Sequence, residues 1–128
     1  MNTLITGGSE GIGLALKDLL QKEGHNVTSW SRGKEGVDIR NLGSIAAHLP
    51  KNKLDLVVLN AGIFLPGGFF YLSRTLNEQL ETNLRGNVNV LQLLIFNECL
   101  NPNALIVFVL TEDILFTSNT LKGEVGYV

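Results

Sequence analysis

Four glycines in one turn are the residues here whose spacing most directly implies chemistry. Thr6-Gly7-Gly8-Ser9-Glu10-Gly11-Ile12-Gly13 follows a short apolar run and opens a helical pattern. Glycines in such a place let the chain turn sharply, bring backbone close to a pyrophosphate and pack a helix tightly on a strand. The free N–H groups and positive dipole end of the helix favour the same anion. The spacing, Gly7-xxx-Gly11-x-Gly13, differs from G-x-G-x-x-G. Nucleotide phosphate binding by Gly7, Ser9, Gly11, Ile12 and Gly13 is set against a plain glycine turn with no ligand. A second candidate lies after the next apolar run, where Trp30 is followed by Ser31 and Arg32. A carboxylate there would bind a free ribose 2′-hydroxyl, whereas a guanidinium fits a 2′-phosphate. Arg32 therefore suits a phosphorylated ribose, and Glu10 argues mildly the other way.

The elements that must hold these residues follow from hydrophobic periodicity. Apolar runs at Thr3–Thr6, Asn26–Trp30, Leu54–Leu59 and Ala104–Leu110 read as strands, with Val37–Ile39 as a very short one. Ile12–Lys22, Leu42–Leu49 and Thr75–Leu100 read as helices, the first stopped by Gly24, the second ending before Pro50, the third weakened by Gly86. Continuous apolar strands alternating with helices predict an α/β fold. The expected form is a doubly wound, Rossmann-like parallel sheet of about five strands in the order 3-2-1-4-5. Its ligand crevice is expected at the carboxyl ends of the strands.

The whole chain, 1–128, fits one domain, since 128 residues with 45% hydrophobic and 17% charged side chains suit one packed core and exclude disorder. A net charge of −2 leaves no electrostatic footprint for nucleic acid or an anionic membrane. Cys99 stands alone, so no internal disulfide forms and a cytoplasmic setting is favoured. The apolar runs are too short to span a bilayer. His25 and His48 have no partners at metal-ligand spacing and read as surface or turn residues, so no metal is expected.

Three motifs in order resemble those of the short-chain dehydrogenases/reductases: the glycine turn, Asn60-Ala61-Gly62 after a strand, and Asn83-Leu84-Arg85-Gly86 in the long helix. The resemblance spans the chain. It implies an NAD(P)-dependent oxidoreductase that transfers hydride between nicotinamide and a small alcohol or carbonyl substrate, and with Arg32 after the second strand it favours NADP over NAD. Asp38-Ile39 resembles the acidic–apolar pair that contacts adenine, with helix capping as the alternative for Asp38. Asn60, Ala61 and Gly62 would lie against the cofactor ribose, and Asn60 could also tie strands together. Asn83 matches the asparagine of a proton relay, or else bends the helix. Thr111 would orient the substrate, with Ser118 as fallback, and Tyr127 would be the acid–base phenol. A phenol of pKa near 10 needs a positive neighbour to act near neutrality. The lysine of Tyr-x-x-x-Lys would fall beyond Val128, and Lys122 is out of register.

The resemblance therefore implies a chain truncated just after its tyrosine, without the family's C-terminal strands. Activity of these 128 residues is set against an alternative, a non-catalytic dinucleotide-binding remnant. A sugar-nucleotide epimerase or a methyltransferase is a weaker reading, opposed by Asn60-Ala61-Gly62 and Asn83. Tyr71 and Leu65–Phe70 either pack or border a substrate mouth. An uncovered last strand, or the long helix, predicts a homo-oligomer.

Overall fold

The computed structural model describes residues 1–65 and 72–110. Thr111, Ser118, Lys122, Tyr127, Tyr71 and Phe69-Phe70 lie outside them. The elements are β1 (Asn2–Thr6), α1 (Gly11–Lys22), β2 (Asn26–Trp30), α2 (Leu42–Ala46), β3 (Leu54–Leu59), α3 (Leu72–Gln79), α4 (Asn87–Phe96) and β4 (Leu100–Phe108). A π-helical segment, Leu80–Gly86, joins α3 to α4. All four strands run parallel in the order β2-β1-β3-β4. The doubly wound, Rossmann-like arrangement is thus as expected.

β1 is central, and side chains on both its faces are covered. Leu4 and Ile5 are both fully buried. Alternation along strands sends them to opposite faces. Leu4 joins Val57, Leu59, Ile45, Val90 and Leu94 in one cluster, on the side of α2 and α4. The register pairs Thr6 with Trp30 and with Leu59, so three strands end level with one another. The crevice forms at that level.

The third of the expected strands, Val37–Ile39, does not form. Gly36 turns the chain with φ +71. Val37 N–H donates to the Ser31 carbonyl, and Asp38 N–H donates to Ser44 Oγ. These two N–H groups are thus taken locally and the Ile39 carbonyl accepts from Asn89 Nδ2 of α4 at 3.0 Å, in place of a ladder, while Val37 and Ile39 bury into the core. The order 3-2-1-4-5 keeps its shared part, one strand shorter.

Helix ends explain the other boundary shifts. After α1, Gly24 N–H reaches the Gln21 carbonyl and His25 N–H the Leu20 carbonyl, with Gly24 at φ +86. This is the glycine stop read from the sequence. After α4 the same pair of bonds runs from Glu98 to Ile95 and from Cys99 to Leu94. Here a non-glycine, Glu98, takes φ +54, so the helix ends four residues before Leu100 without a glycine to announce it. β4 then begins at Leu100, earlier than expected, and its register slips between Leu54 and Leu56 of β3. That irregularity accommodates Pro102, which has no N–H to give a ladder. α2 is shorter than Leu42–Leu49 and is capped by Asn41, whose side chain accepts from Ser44 N–H.

Candidate functional site

The glycine turn shows why its residues are small. Gly7 takes φ +72 and its N–H donates to the Trp30 carbonyl at 2.7 Å, binding the turn to the end of β2. A Cβ on Gly7 would lie 2.8 Å from Ala61 Cα. A Cβ on Gly13 would overlap the Gly7 carbonyl oxygen and Asn60 Nδ2, so α1 sits directly on the turn. Gly11 differs: it has φ +56, and a Cβ there would meet nothing within 4 Å. Its outer side is open. Glu10 precedes the helix, and its side chain makes no capping bond to the first turn of N–H groups.

Thr6 and Asn60 join this turn to the end of β3. Thr6 Oγ1 accepts the N–H groups of Asn60 and Ala61, both at 3.0 Å. Asn60 Nδ2 donates to the Gly7 carbonyl at 3.1 Å. The strand-tying role read for Asn60 is therefore present.

A cleft of about 320 Å³ opens between this turn and two further segments. One wall is the loop after β2. Ser31 Oγ donates to the Glu35 carboxylate and accepts Lys34 N–H at 3.2 Å. Arg32 is exposed and lines the cleft. Asp38 is gripped by Arg40: Nε and a terminal guanidinium nitrogen donate to its two oxygens at 2.9 and 2.8 Å, and Arg40 N–H adds a third bond. These bonds, with the charge of Arg32 beside them, hold the Asp38 carboxyl below its ordinary value and keep it ionised. Asp38 therefore does not cap α2, which corrects that alternative; Asn41 holds the position.

The other wall is Ala61–Ile63 backed by the π segment. Asn83 Oδ1 accepts Ile63 N–H at 2.7 Å, and its Nδ2 donates to the Ile63 carbonyl at 2.9 Å. Asn87 Nδ2 donates to the carbonyls of Asn83 and Ala61. A Cβ on Gly86 would come within 2.7 Å of Ile39, so this glycine lets the helix approach the Ile39 side chain. Asn83 lies within the π segment. Such segments recur at functional sites.

Gly7, Ser9, Ser31, Arg32, Asp38, Ile39, Ala61 and Gly62 all line the cleft. Gly11, Ile12, Gly13 and Asn60 belong to the adjoining turn, with Gly13 and Asn60 packed behind it. Asn83 stands behind Ile63. Thr111 and Tyr127 lie outside the described residues. Sequence reasoning missed Arg40, Ile63 and Thr82, all in the cleft lining. Arg40 sits two residues beyond Asp38 in a turn that carries no sequence period, and Thr82 stands beside the more conspicuous Asn83. Among the described residues no group of His, Cys, Asp or Glu could hold a metal, and no helix is long and apolar enough to cross a membrane.

The sequence profile of the NAD dependent epimerase/dehydratase family matches residues 3–111. No curated protein sequence matches the chain significantly. Among solved structures it is similar to a short chain dehydrogenase family protein from Francisella tularensis subsp. tularensis SCHU S4, with TM-score 0.75 and 24% identity over 94% of this chain and 55% of that one. It is similar to a small-chain dehydrogenase in complex with NADPH, with TM-score 0.73 and 22% identity over 84% of this chain and 49% of that one. It is also similar to 3-ketoacyl-(acyl-carrier-protein) reductase from Brucella melitensis complexed with NADH, with TM-score 0.80 and 20% identity over 94% and 61%. These likenesses bear on the fold, and the chain spans about half to three fifths of the length of each.

Proposed function

Because the chain belongs to the NAD dependent epimerase/dehydratase family and folds as the short-chain dehydrogenases do, we propose that its cleft holds the adenosine half of a nicotinamide dinucleotide, NADP in preference to NAD. The observation that carries this reading is the convergence of the glycine turn, the end of β2, Asp38-Ile39 and Ala61-Gly62 on one cleft at the carboxyl ends of the strands. The residues fit the group. The open side of Gly11 and the uncapped first turn of α1 leave N–H groups for a pyrophosphate. Ala61 and Gly62 offer backbone to a ribose, and Ile39 an apolar face to adenine. Exposed Arg32 stands where a 2′-phosphate would be met, by a planar donor suited to it.

When bound, the dinucleotide supplies hydride transfer to or from an alcohol or carbonyl carbon. In this reading the chain's own part is to orient that reaction: Asn83 fixes the backbone beside the cofactor, Thr111 positions the substrate oxygen, and Tyr127 moves the proton. A second reading is binding without turnover. Titration with NADPH and NADH, followed by nicotinamide fluorescence, tests the binding. Both should bind, NADPH more tightly, with Arg32→Ala erasing the preference; failure of both to bind overturns the proposal. Carbonyl reduction over a broad panel then separates enzyme from binder.

We also assign a second copy of this chain as partner. Among the described residues β4 is an edge strand with Leu105 and Phe108 exposed, and Ile95 and Phe96 of α4 are exposed as well. Sedimentation velocity should show a dimer or larger, and a monomer at high micromolar concentration overturns it.

A further inference from the structure

The Ser31 hydroxyl has one proton to give, and the loop after β2 already uses it. A hydroxyl carries a single O–H donor. In Ser31 that donor goes to the Glu35 carboxylate, while the same oxygen accepts Lys34 N–H at 3.2 Å. Val37 N–H closes the loop on the Ser31 carbonyl at 3.0 Å, and Gly36, at φ +71, makes the turn. The loop thus folds a carboxylate back onto the end of β2, where Trp30-Ser31-Arg32 itself carries no acid. The ion pairs among the described residues are Arg40–Asp38 and Arg85–Glu81, so Glu35 takes the hydroxyl and leaves the Arg32 guanidinium outside any of them. Ser31 and Arg32 both line the cleft. A 2′-phosphate drawn in by Arg32 acts chiefly as an acceptor, so at Ser31 it meets a hydroxyl whose proton is taken. A free 2′-hydroxyl meets no such conflict, since it can donate to Glu35 or leave Ser31 as it is.

We infer that Glu35 is a specificity-determining residue that works against the phosphorylated cofactor: its carboxylate holds the Ser31 hydroxyl, and a 2′-phosphate gains that hydroxyl only by displacing it. The inference rests on the dinucleotide reading above and adds the residue that limits the preference for NADP. Arg32 and Glu35 act on that preference in opposite senses.

The test titrates the 128-residue chain with NADPH and with NADH, which differ only in the 2′-phosphate, by calorimetry. The proteins are the unsubstituted chain, Glu35→Ala, Ser31→Ala and the double variant. Glu35 is half-buried, so its hold is partly screened, and Glu35→Ala should bind NADPH roughly three- to tenfold more tightly. NADH should bind Glu35→Ala no more tightly than before, and its binding shows that the variant is folded. With Ser31→Ala already in place there is no proton to release. Adding Glu35→Ala there should tighten NADPH by less than about twofold in about 0.15 M salt. An equal gain with and without the Ser31 hydroxyl is plain charge repulsion and overturns the inference. So does unchanged or weaker NADPH binding by Glu35→Ala, or an equal gain for NADH; each leaves the dinucleotide reading intact. Absence of both NADPH and NADH binding by the unsubstituted chain overturns both.

Discussion

Replacing Thr6 with valine tests whether one hydroxyl sets the mouth of the cleft. Thr6 is fully buried, and its Oγ1 is the acceptor for two backbone N–H groups at once, those of Asn60 and Ala61 at 3.0 Å. Valine fills the same space and accepts nothing. A buried donor left without a partner costs about 1–3 kcal/mol. Asn60 and Ala61 are half-buried, so the low end applies to each, giving a loss of about 2–3 kcal/mol for the pair. With a urea slope of roughly 1–3 kcal/mol/M, the unfolding midpoint should fall by about 1–2 M. Thr6→Ser keeps the acceptor and should cost only about 1 kcal/mol for the missing methyl. Urea unfolding followed by circular dichroism measures all three proteins. A Thr6→Val loss below about 1 kcal/mol, or equal losses for Val and Ser, refutes the assignment. Dinucleotide affinity should fall with Val too, since Ala61 and Gly62 lose their anchor to β1.

Gly13→Ala should destabilise by about 3 kcal/mol or more, because the added Cβ meets fixed backbone and evicts the Asn60 amide. Gly11→Ala, with open space but φ +56, should cost only about 1 kcal/mol, and urea unfolding ranks the two. Glu98→Gly should stabilise by about 0.5–1 kcal/mol by relieving φ +54 at the end of α4, a gain visible as a raised melting temperature. Asp55 accepts Asn2 N–H and the Asn101 amide, which lowers its carboxyl pKa in the folded state. Its contribution is therefore present above the unfolded value near ~3.9 and is lost as pH falls through the lower folded value. Asp55→Asn should flatten the stability profile measured from pH 6 down to pH 3.

The sheet was legible because buried parallel strands read as unbroken apolar runs, as Leu4-Ile5 and Val57–Leu59 do. Gly24 and the glycine turn were legible because positive φ and close packing demand that residue. What escaped had no such signature. Val37–Ile39 is apolar for burial, yet its backbone bonds go to nearby turns and to the Asn89 side chain rather than to a strand. Glu98 ends a helix in a conformation its side chain disfavours, held by the packing of Cys99 and Leu94. Thr6 looks like one more β-branched strand residue, and its pair of bonds exists only once β3 lies beside it. Arg40 and Thr82 enter the cleft through a turn and a π segment, neither of which has a sequence period.

The amide of Asn83 has a mechanical consequence. Its two bonds to Ile63 copy those of a neighbouring strand, and with the Asn87 bond to Ala61 they weld the chain after β3 to the helix across twenty or more residues. The opposite wall is stitched mostly to itself, by bonds spanning two to six residues between Ser31 and Ser44, with Ile39 alone tied to α4 through Asn89 Nδ2 among the bonds described. Breathing of the cleft should therefore concentrate in Ser31–Gly36, with buried Val37 and Ile39 as its hinge and Ala61–Ile63 as the anvil. Amide hydrogen exchange should record that asymmetry directly, slow at Ile63 and fast at Lys34.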